Sequence, residues 1–161
     1  MNIISGIFKN IKIKTSKDLS YRPTKSLVRK SIFDSLNYFN FNSVCDLFSG
    51  TGIIGFESAS RGAKFVTFVD NNYRAIKLIQ ENAIALEGPH YSYFQKDVFS
   101  FLKNSNSFDL IYADPPYDKY DTVRFVKEVL KHLNKQGKLF LECNTSQNPF
   151  LNLKLFLDRN F

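Results

Sequence analysis

From residue 43 onward, short apolar runs alternate with segments whose apolar residues recur at helical spacing. Five such runs predict strands, at 44–47, 65–69, 91–96, 108–113 and 138–143. Four segments predict the helices between them, at 53–61, 73–86, 98–103 and 122–133. Strands that alternate with helices form βαβ units. We therefore expect an α/β fold, with a mostly parallel sheet and helices on both of its faces.

The first forty residues follow a different pattern. Ile11-Lys12-Ile13-Lys14 alternates with period two after an isoleucine-rich start, which predicts a short β-hairpin with one basic face. Thr24 is a candidate cap for a helix that runs to about Tyr38. Lys25 and Arg29 are expected to join a basic ridge on the surface of this helix. Its apolar stripe is expected to contain Val28, Ile32, Leu36 and Phe39.

The net charge of +7 is concentrated at one end of the 161-residue chain. Residues 1–30 hold eight basic residues and a single acidic one, Asp18, so the remaining residues are neutral overall. A basic segment attached to a neutral domain suits a polyanionic partner.

Several other classes of protein are disfavoured. No run of about 18 apolar residues is present, so we expect no membrane span, and the polar start is unlike a secretory signal. Cys45 and Cys143 lie far apart in apolar surroundings, which is typical of reduced thiols in a cytoplasmic protein. His90 and His132 are isolated, and no Cys/His cluster has the spacing of metal ligands, so we expect no metal.

A glycine-rich turn is predicted between the first strand and its helix. Gly50, Gly52 and Gly55 satisfy the G-x-G-x-x-G spacing of dinucleotide-binding proteins. Asp46 precedes this turn. A carboxylate directed into the site would repel a pyrophosphate and favour a cationic ligand, such as the ammonium and sulfonium groups of S-adenosylmethionine (SAM). The other interpretation is a strand–turn–helix junction without a ligand.

Two further acids end the next predicted strands. Asp70 offers two acceptor oxygens to the vicinal hydroxyls of a ribose, because Asn71 or Asn72 can cap the following helix instead. A ribose is common to SAM and NAD, so Asp70 does not separate the two. Asp97 could accept a hydrogen bond from an adenine amino group, cap the helix that begins at Val98, or do both.

The fourth predicted strand ends in Asp114-Pro115-Pro116-Tyr117. Two prolines lack N–H groups and fix φ, so this loop is stiff and presents carbonyl acceptors. Together with the Asp114 carboxylate and the flat ring of Tyr117, these carbonyls suit a planar ring that bears an exocyclic amine. The sequence offers no strong nucleophile here, so the loop would position an amine for an electrophile carried by a cofactor. A proline-rich turn with no ligand is the simpler interpretation.

These motifs together resemble those of class I SAM-dependent methyltransferases, which have a Rossmann-like fold. The N-terminal residues narrow the resemblance, since Ile3–Gly6, Tyr21–Thr24 and Val28–Asp34 are similar to the start of the RsmD family. The similarity runs over about residues 3–146. Members of that family methylate N2 of a guanine in the 16S rRNA of the small (30S) ribosomal subunit. The resemblance therefore implies SAM as cofactor and small-subunit rRNA as partner.

The resemblance also implies roles for individual residues. The catalytic residues would be Asp114, Pro115, Pro116 and Tyr117. The cofactor-binding residues would be Asp46, Phe48, Ser49, Gly50, Thr51, Gly52, Asp70, Asn71, Asp97 and Val98. The basic N-terminal segment would supply the RNA-binding residues Lys9, Lys12, Lys14, Arg22, Thr24, Lys25, Arg29 and Lys30.

We expect one methyltransferase domain over residues 1–161, acting as a monomer. It would contain a basic hairpin and helix (1–40), a SAM-binding core (41–146) and an incomplete C-terminal strand region (147–161). The family's sheet has two more strands after the fifth, whereas eighteen residues follow Cys143. The chain is therefore expected to be shortened near its end, with an edge strand left unpaired. Lys9 stands where the family's hairpin is arginine-rich, which predicts looser contact with RNA.

Three other functions remain open from the sequence. DNA adenine-N6 and protein-glutamine methyltransferases share a D/N-P-P-Y loop, although Asn is commoner there than Asp. An NAD-dependent oxidoreductase fits the glycine-rich turn but leaves Asp46 and residues 114–117 unexplained. A non-catalytic RNA-binding remnant is consistent with the short C-terminus.

Overall fold

The computed structural model describes residues 1–16, 26–36, 40–116 and 120–143. In these ranges the helices are α1 (Ser26–Asp34), α2 (Ile53–Ser60), α3 (Tyr73–Ala83), α4 (Val98–Leu102) and α5 (Thr122–Leu130). The strands are β1 (Ser43–Leu47), β2 (Phe65–Asp70), β3 (His90–Gln95), β4 (Phe108–Ala113) and β5 (Leu133–Leu141). No helix among the described residues has the length and apolar character needed to cross a bilayer.

The five strands form a parallel sheet in the order β3-β2-β1-β4-β5. Successive side chains alternate between its two faces. Val44 and Leu110 join a core cluster with α1, α2 and α3, whereas Cys45 and Ile111 join a second cluster with α4 and α5. Both faces are therefore buried, which explains why the central strands have nearly continuous apolar sequences. The expected α/β fold, with helices on both faces of a parallel sheet, is confirmed.

The predicted boundaries are least accurate around the last strand. Helix α5 ends at Leu130 and β5 begins at Leu133, whereas the sequence pattern predicts a helix to 133 and a strand from 138. The pairing of β5 with β4 is irregular near Phe108. Residues 134–137 form this irregular first part of β5, and their polar sequence lacks the alternation by which a strand is recognised.

The N-terminal arm (residues 1–16) forms a hairpin as predicted, but its two sides pair over a shorter length than two full strands. Its two sides meet in one antiparallel bridge, between Asn2 and Lys12. Ile3 and Ile13 are buried, while Lys12 and Lys14 are exposed. The alternation predicted for the arm is thus confirmed, with its lysines on the solvent side.

Helix α1 is rotated relative to the predicted stripe. Ile32 and Leu36 are buried as the stripe predicts. Arg29 and Phe33 are buried as well, whereas Val28, which belongs to the predicted stripe, is 39% exposed. The expectation that Arg29 lies on a surface ridge and contacts RNA is wrong, because its guanidinium lies inside the protein. Thr24 and Lys25, at the predicted start of this helix, lie outside the described residues, as do Tyr38 and Phe39.

A buried carboxylate on α2 accounts for the rotation. Glu57 is 0% exposed, and its Oε1 accepts a hydrogen bond from the Ile4 backbone N–H at 2.7 Å. Its Oε2 accepts one from Arg61 Nη1 at 2.5 Å, and Arg29 Nε lies 3.8 Å from Oε1. Arg29 also donates to the backbone carbonyl of Asn2 at 3.1 Å. A buried charge requires partners of this kind, so Glu57 joins the arm, α1 and α2.

We predict that Arg29→Ala is strongly destabilising, whereas Lys30→Ala on the next residue of α1 is nearly neutral. Removing Arg29 leaves the buried Glu57 with less positive charge around it, a change that costs about 3 kcal/mol or more of unfolding free energy. Lys30 pairs with Asp34 on the surface, and such pairs contribute less than about 1 kcal/mol. Urea unfolding of both variants tests this, and similar losses in the two would contradict it.

Candidate active site

The turn after β1 has an unusual backbone conformation. Phe48, Gly50 and Gly52 have φ values of 59°, 53° and 74°, so the chain turns through the left-handed region three times before α2 begins. Gly55 then allows α2 to lie close to β2, because a Cβ there would lie 2.2 Å from Cε1 of Phe68. The glycine spacing thus serves a tight turn and close packing of helix on strand, as in nucleotide-binding βαβ units.

Side-chain and backbone hydrogen bonds attach this turn to β2. Ser49 Oγ donates to the Asp46 carbonyl at 2.6 Å and accepts from the Val69 N–H at 2.8 Å. The Gly50 N–H donates to Asp70 Oδ2 at 2.9 Å. Ser49 and Thr51 are themselves buried. These contacts fix the turn beside the carboxyl end of β2.

Asp46 lies beneath the turn rather than open to the site. It is 1% exposed, and its Oδ2 accepts a hydrogen bond from the Gly55 N–H at 3.0 Å. Burial raises the pKa of its carboxyl well above the ordinary value, the Gly55 hydrogen bond opposes this, and the nearby Asp70 and Asp114 add to the rise. The expected orientation into the open site is therefore wrong, because the carboxylate holds the start of α2. Its effect on a ligand would be through the electrostatic potential.

Asp70 is directed towards the turn and is not the cap of α3. Its Oδ1 accepts from the Asn72 N–H at 2.8 Å, while Asn72 caps the helix by accepting from the Arg74 N–H at 2.9 Å. This is the division of roles that the sequence suggested. Asn71 is exposed beside it. Each carboxylate oxygen has two lone pairs, so Asp70 retains acceptor capacity for hydroxyl donors.

Asp97 adopts the capping role, and its second oxygen faces an aromatic residue. Its Oδ1 accepts from the Ser100 N–H at 3.1 Å, and the Tyr120 hydroxyl lies 3.5 Å from Oδ2. Burial raises the pKa of Tyr120, and Asp97 raises it further. Val98, the next residue, is buried.

An aromatic cluster that the sequence analysis did not identify lies beside Asp97. The Tyr120 ring centroid is 5.2 Å from that of Phe48 and 5.8 Å from that of Phe99. Phe125 packs behind both phenylalanines. The cluster joins the glycine-rich turn, α4 and the start of α5, and sequence spacing gives no signal for it. Flat aromatic surfaces next to a carboxylate acceptor suit a purine that bears an amino group.

The predicted catalytic loop begins at the carboxyl end of β4. Asp114 is half-buried, Pro115 is buried and Pro116 is exposed, while Tyr117 lies outside the described residues. Asp114 and Asp70 are both close enough to Asp46 to raise its pKa. The structure therefore brings together carboxylates from β1, β2 and β4, as the carboxyl edge of a parallel sheet should.

The predicted RNA-binding residues are only partly brought together. Lys9, Lys12 and Lys14 are exposed on the arm, and Asn82 of α3 holds the backbone of Lys14 through two hydrogen bonds. Lys30 is exposed and pairs with Asp34. Arg29 is buried. The remaining candidates, Arg22, Thr24 and Lys25, lie outside the described residues.

We predict that the free energy of unfolding of Asp46→Asn, relative to that of the original chain, increases as the pH rises. Folding raises the pKa of this carboxyl above its value in the unfolded chain, which is near 3.8. The protonated carboxyl therefore stabilises the folded state at low pH, and this stabilisation is lost as the pH rises from the unfolded pKa towards the folded pKa. Asparagine does not titrate and can still accept from the Gly55 N–H. Urea unfolding between pH 4 and pH 8 measures the difference, with the exposed Asp34→Asn as control. A difference in unfolding free energy that does not change with pH would contradict a raised pKa for Asp46.

Comparison with known proteins supports the fold and gives the family. The family model described as "Conserved hypothetical protein 95" matches residues 1–159. A protein of Buchnera aphidicola (subsp. Baizongia pistaciae) named "Ribosomal RNA small subunit methyltransferase D" is 32% identical over 156 residues, which cover 94% of this chain and 80% of that protein.

Two solved structures have the same architecture. The Escherichia coli protein yhhF superposes with a TM-score of 0.81 over 92% of this chain and 82% of that one, at 19% identity. A precorrin-6y C5,15-methyltransferase of Geobacter metallireducens gives a TM-score of 0.70 over 91% and 76%, at 15% identity. At these identities the likeness shows the fold alone, which is the Rossmann-like fold of methyltransferases. The chain belongs to the family described as "Conserved hypothetical protein 95", which is the RsmD family that its motifs resemble.

Proposed function

We propose that this chain is a SAM-dependent methyltransferase that modifies the exocyclic N2 of a guanine in small-subunit rRNA. The observation that carries the proposal is the convergence of Asp70, Asp97 and Asp114 on the carboxyl edge of the sheet, around the glycine-rich turn. The Buchnera relative named as a small-subunit rRNA methyltransferase supports the choice of substrate.

The residues at this edge fit SAM. Asp70 can accept hydrogen bonds from ribose hydroxyls, and Asp97 can accept from an adenine amine beside the aromatic cluster of Phe48, Phe99 and Tyr120. The glycine-rich turn allows a ligand to approach its backbone closely. The neighbouring carboxyl groups of Asp46, Asp70 and Asp114 favour a cation over a pyrophosphate. When bound, SAM would supply an electrophilic methyl group on a sulfonium.

The protein's own part in the reaction is to orient the amine and to accept a proton. Asp114 and the carbonyls of the Pro115 and Pro116 loop would accept the hydrogens of guanine N2 and so turn its lone pair away from the loop. Tyr117 would stack on the base. The proton released on transfer would pass to Asp114 or to water. This chemistry needs no metal.

The exposed lysines of the arm would hold the phosphates of the RNA. Lys9, Lys12 and Lys14 lie on the arm, whose position is fixed by Glu57 and Asn82. A guanine that is unpaired or flipped out of its helix would then reach the catalytic loop. Acting on 30S subunits implies a cytoplasmic location, and we propose that the chain works there as a monomer.

The alternative substrates are separated by following labelled methyl groups. The chain is incubated with labelled SAM and undermethylated 30S subunits, duplex DNA or a release-factor protein, and the modified nucleotide is then mapped. We expect label in 30S rRNA at the N2 of one guanine. Label in DNA adenine or in protein glutamine would replace the proposal, and SAM binding without transfer to any acceptor would indicate an inactive remnant.

We predict that Asp114→Ala abolishes transfer and leaves SAM binding largely intact. The carboxylate would orient the amine, whereas Asp70 and Asp97 would hold the ribose and the adenine. Transfer measured with labelled SAM should fall at least about a hundredfold, in line with the loss of a positioned acid–base group, while the dissociation constant for SAM measured by calorimetry changes little. Unchanged transfer in this variant would refute the catalytic assignment.

We predict that changing Lys9, Lys12 and Lys14 together to Ala weakens RNA binding without affecting SAM. Each lost phosphate contact lowers the slope of log affinity against log salt by roughly 0.7 to 0.9. Lys64 and Lys103 are exposed lysines beside the amino ends of β2 and β4, so their double alanine variant is the matched control. Equal losses of RNA affinity in the two variants would contradict a recognition role for the arm.

A further inference from the structure

The register of the sheet brings Glu142 next to Asp114. Strands β4 and β5 pair Tyr112 with Phe140 and Ala113 with Leu141. One further step in the same register pairs Asp114 with Glu142, and the Glu142 N–H continues the ladder by donating to the Ala113 carbonyl at 2.9 Å. Neighbouring strands lie about 4.8 Å apart, and paired residues of parallel strands point to the same face. Two acidic residues from adjacent strands are therefore neighbours at the candidate active site.

Tyr112 fixes the orientation of the Glu142 side chain. Tyr112 is 3% exposed, and its hydroxyl donates a hydrogen bond to Glu142 Oε1. Glu142 itself is half-buried, and its Oε2 accepts no hydrogen bond from the part of the chain that the structure describes. One oxygen is thus held in place, while the other retains acceptor capacity beside the loop that begins at Asp114.

Two neighbouring acceptors match a feature of guanine that adenine lacks, which is a hydrogen-bond donor at N1. The Watson–Crick edge of guanine presents a donor at N1 directly beside the donors at N2, whereas adenine presents an acceptor at N1. A pair of adjacent carboxylates can accept from N1 and N2 together. A carboxylate opposite the N1 of adenine would face another acceptor and would be left unpaired, which is unfavourable in a desolvated pocket.

We propose that Glu142 determines specificity by accepting a hydrogen bond from guanine N1–H, while Asp114 accepts from N2. The inference rests on the proposed function. In that function Asp114 orients the reacting amine, and Glu142 now recognises the base that carries it. Tyr112 is then a positioning residue, since it acts on the base only through Glu142.

The test compares two bases that both carry a 2-amino group. Undermethylated 30S subunits are assembled on synthetic 16S rRNA that carries guanine or 2-aminopurine at the mapped target position. 2-Aminopurine keeps the reacting amine but lacks both the hydrogen on N1 and the O6 carbonyl, so the part of the preference that depends on Glu142 is obtained by comparing the variants. The ratio of kcat/KM for the two RNAs is measured with the original chain, Glu142→Ala, Glu142→Gln and, as an exposed control, Glu87→Gln.

We expect the original chain and Glu87→Gln to prefer guanine by about tenfold to a hundredfold, the range for a hydrogen bond to a charged group. In Glu142→Ala the part of this preference that depends on N1–H should be lost, so that any remaining preference comes from O6 alone. In Glu142→Gln it should shrink because an amide can both accept from N1–H and donate to an unprotonated N1. The SAM dissociation constant should be the same in all four proteins, which shows that the variants are folded.

Two results would overturn the inference while leaving the proposed function in place. The original chain could methylate both RNAs equally well, or Glu142→Ala could keep the full preference for guanine. A loss of SAM binding in both Glu142 variants would instead assign the residue a structural role. Failure of the original chain to methylate the guanine RNA, with SAM bound, would remove the proposed function itself and the inference with it.

Discussion

The candidate active site depends on the parallel pairing of β1 with β2 on one side and β4 on the other. Parallel strands end at the same edge of a sheet, so this pairing places Asp70 and Asp114 on either side of the glycine-rich turn. Like charges close together repel one another, and the pKa of Asp46 is accordingly raised by burial and by the two other carboxylates. A bound cation would lower the electrostatic repulsion among these carboxylates.

A second buried carboxylate attaches the N-terminal arm to the rest of the fold. Glu57 lies in the layer of helices on one face of the sheet and binds the backbone of the N-terminal arm through Ile4. The same residue fixes Arg29 of α1 and Arg61 of α2. The arm that carries the exposed lysines is therefore attached to the helices on this face of the sheet through Glu57 and Asn82.

The sequence was sufficient to predict the order of the elements and the acids at the strand ends, because these follow from apolar periodicity and from short motifs such as Asp114-Pro115-Pro116. It was not sufficient to predict the rotation of α1. Arg29 is drawn inward by Glu57, which is 28 residues away in sequence, and periodicity carries no information on such a pair. Tyr120 and Glu142 were missed for a related reason, since their places at the site depend on packing and on strand register.

The central claim is that the carboxylates at this edge hold a cationic cofactor, and calorimetric titration of the protein with SAM and with NAD tests it most directly. We expect SAM to bind with one site per chain, NAD to show no binding at the same concentrations, and Asp70→Ala to lose most of the affinity for SAM. Binding of NAD in the absence of SAM binding would contradict the account.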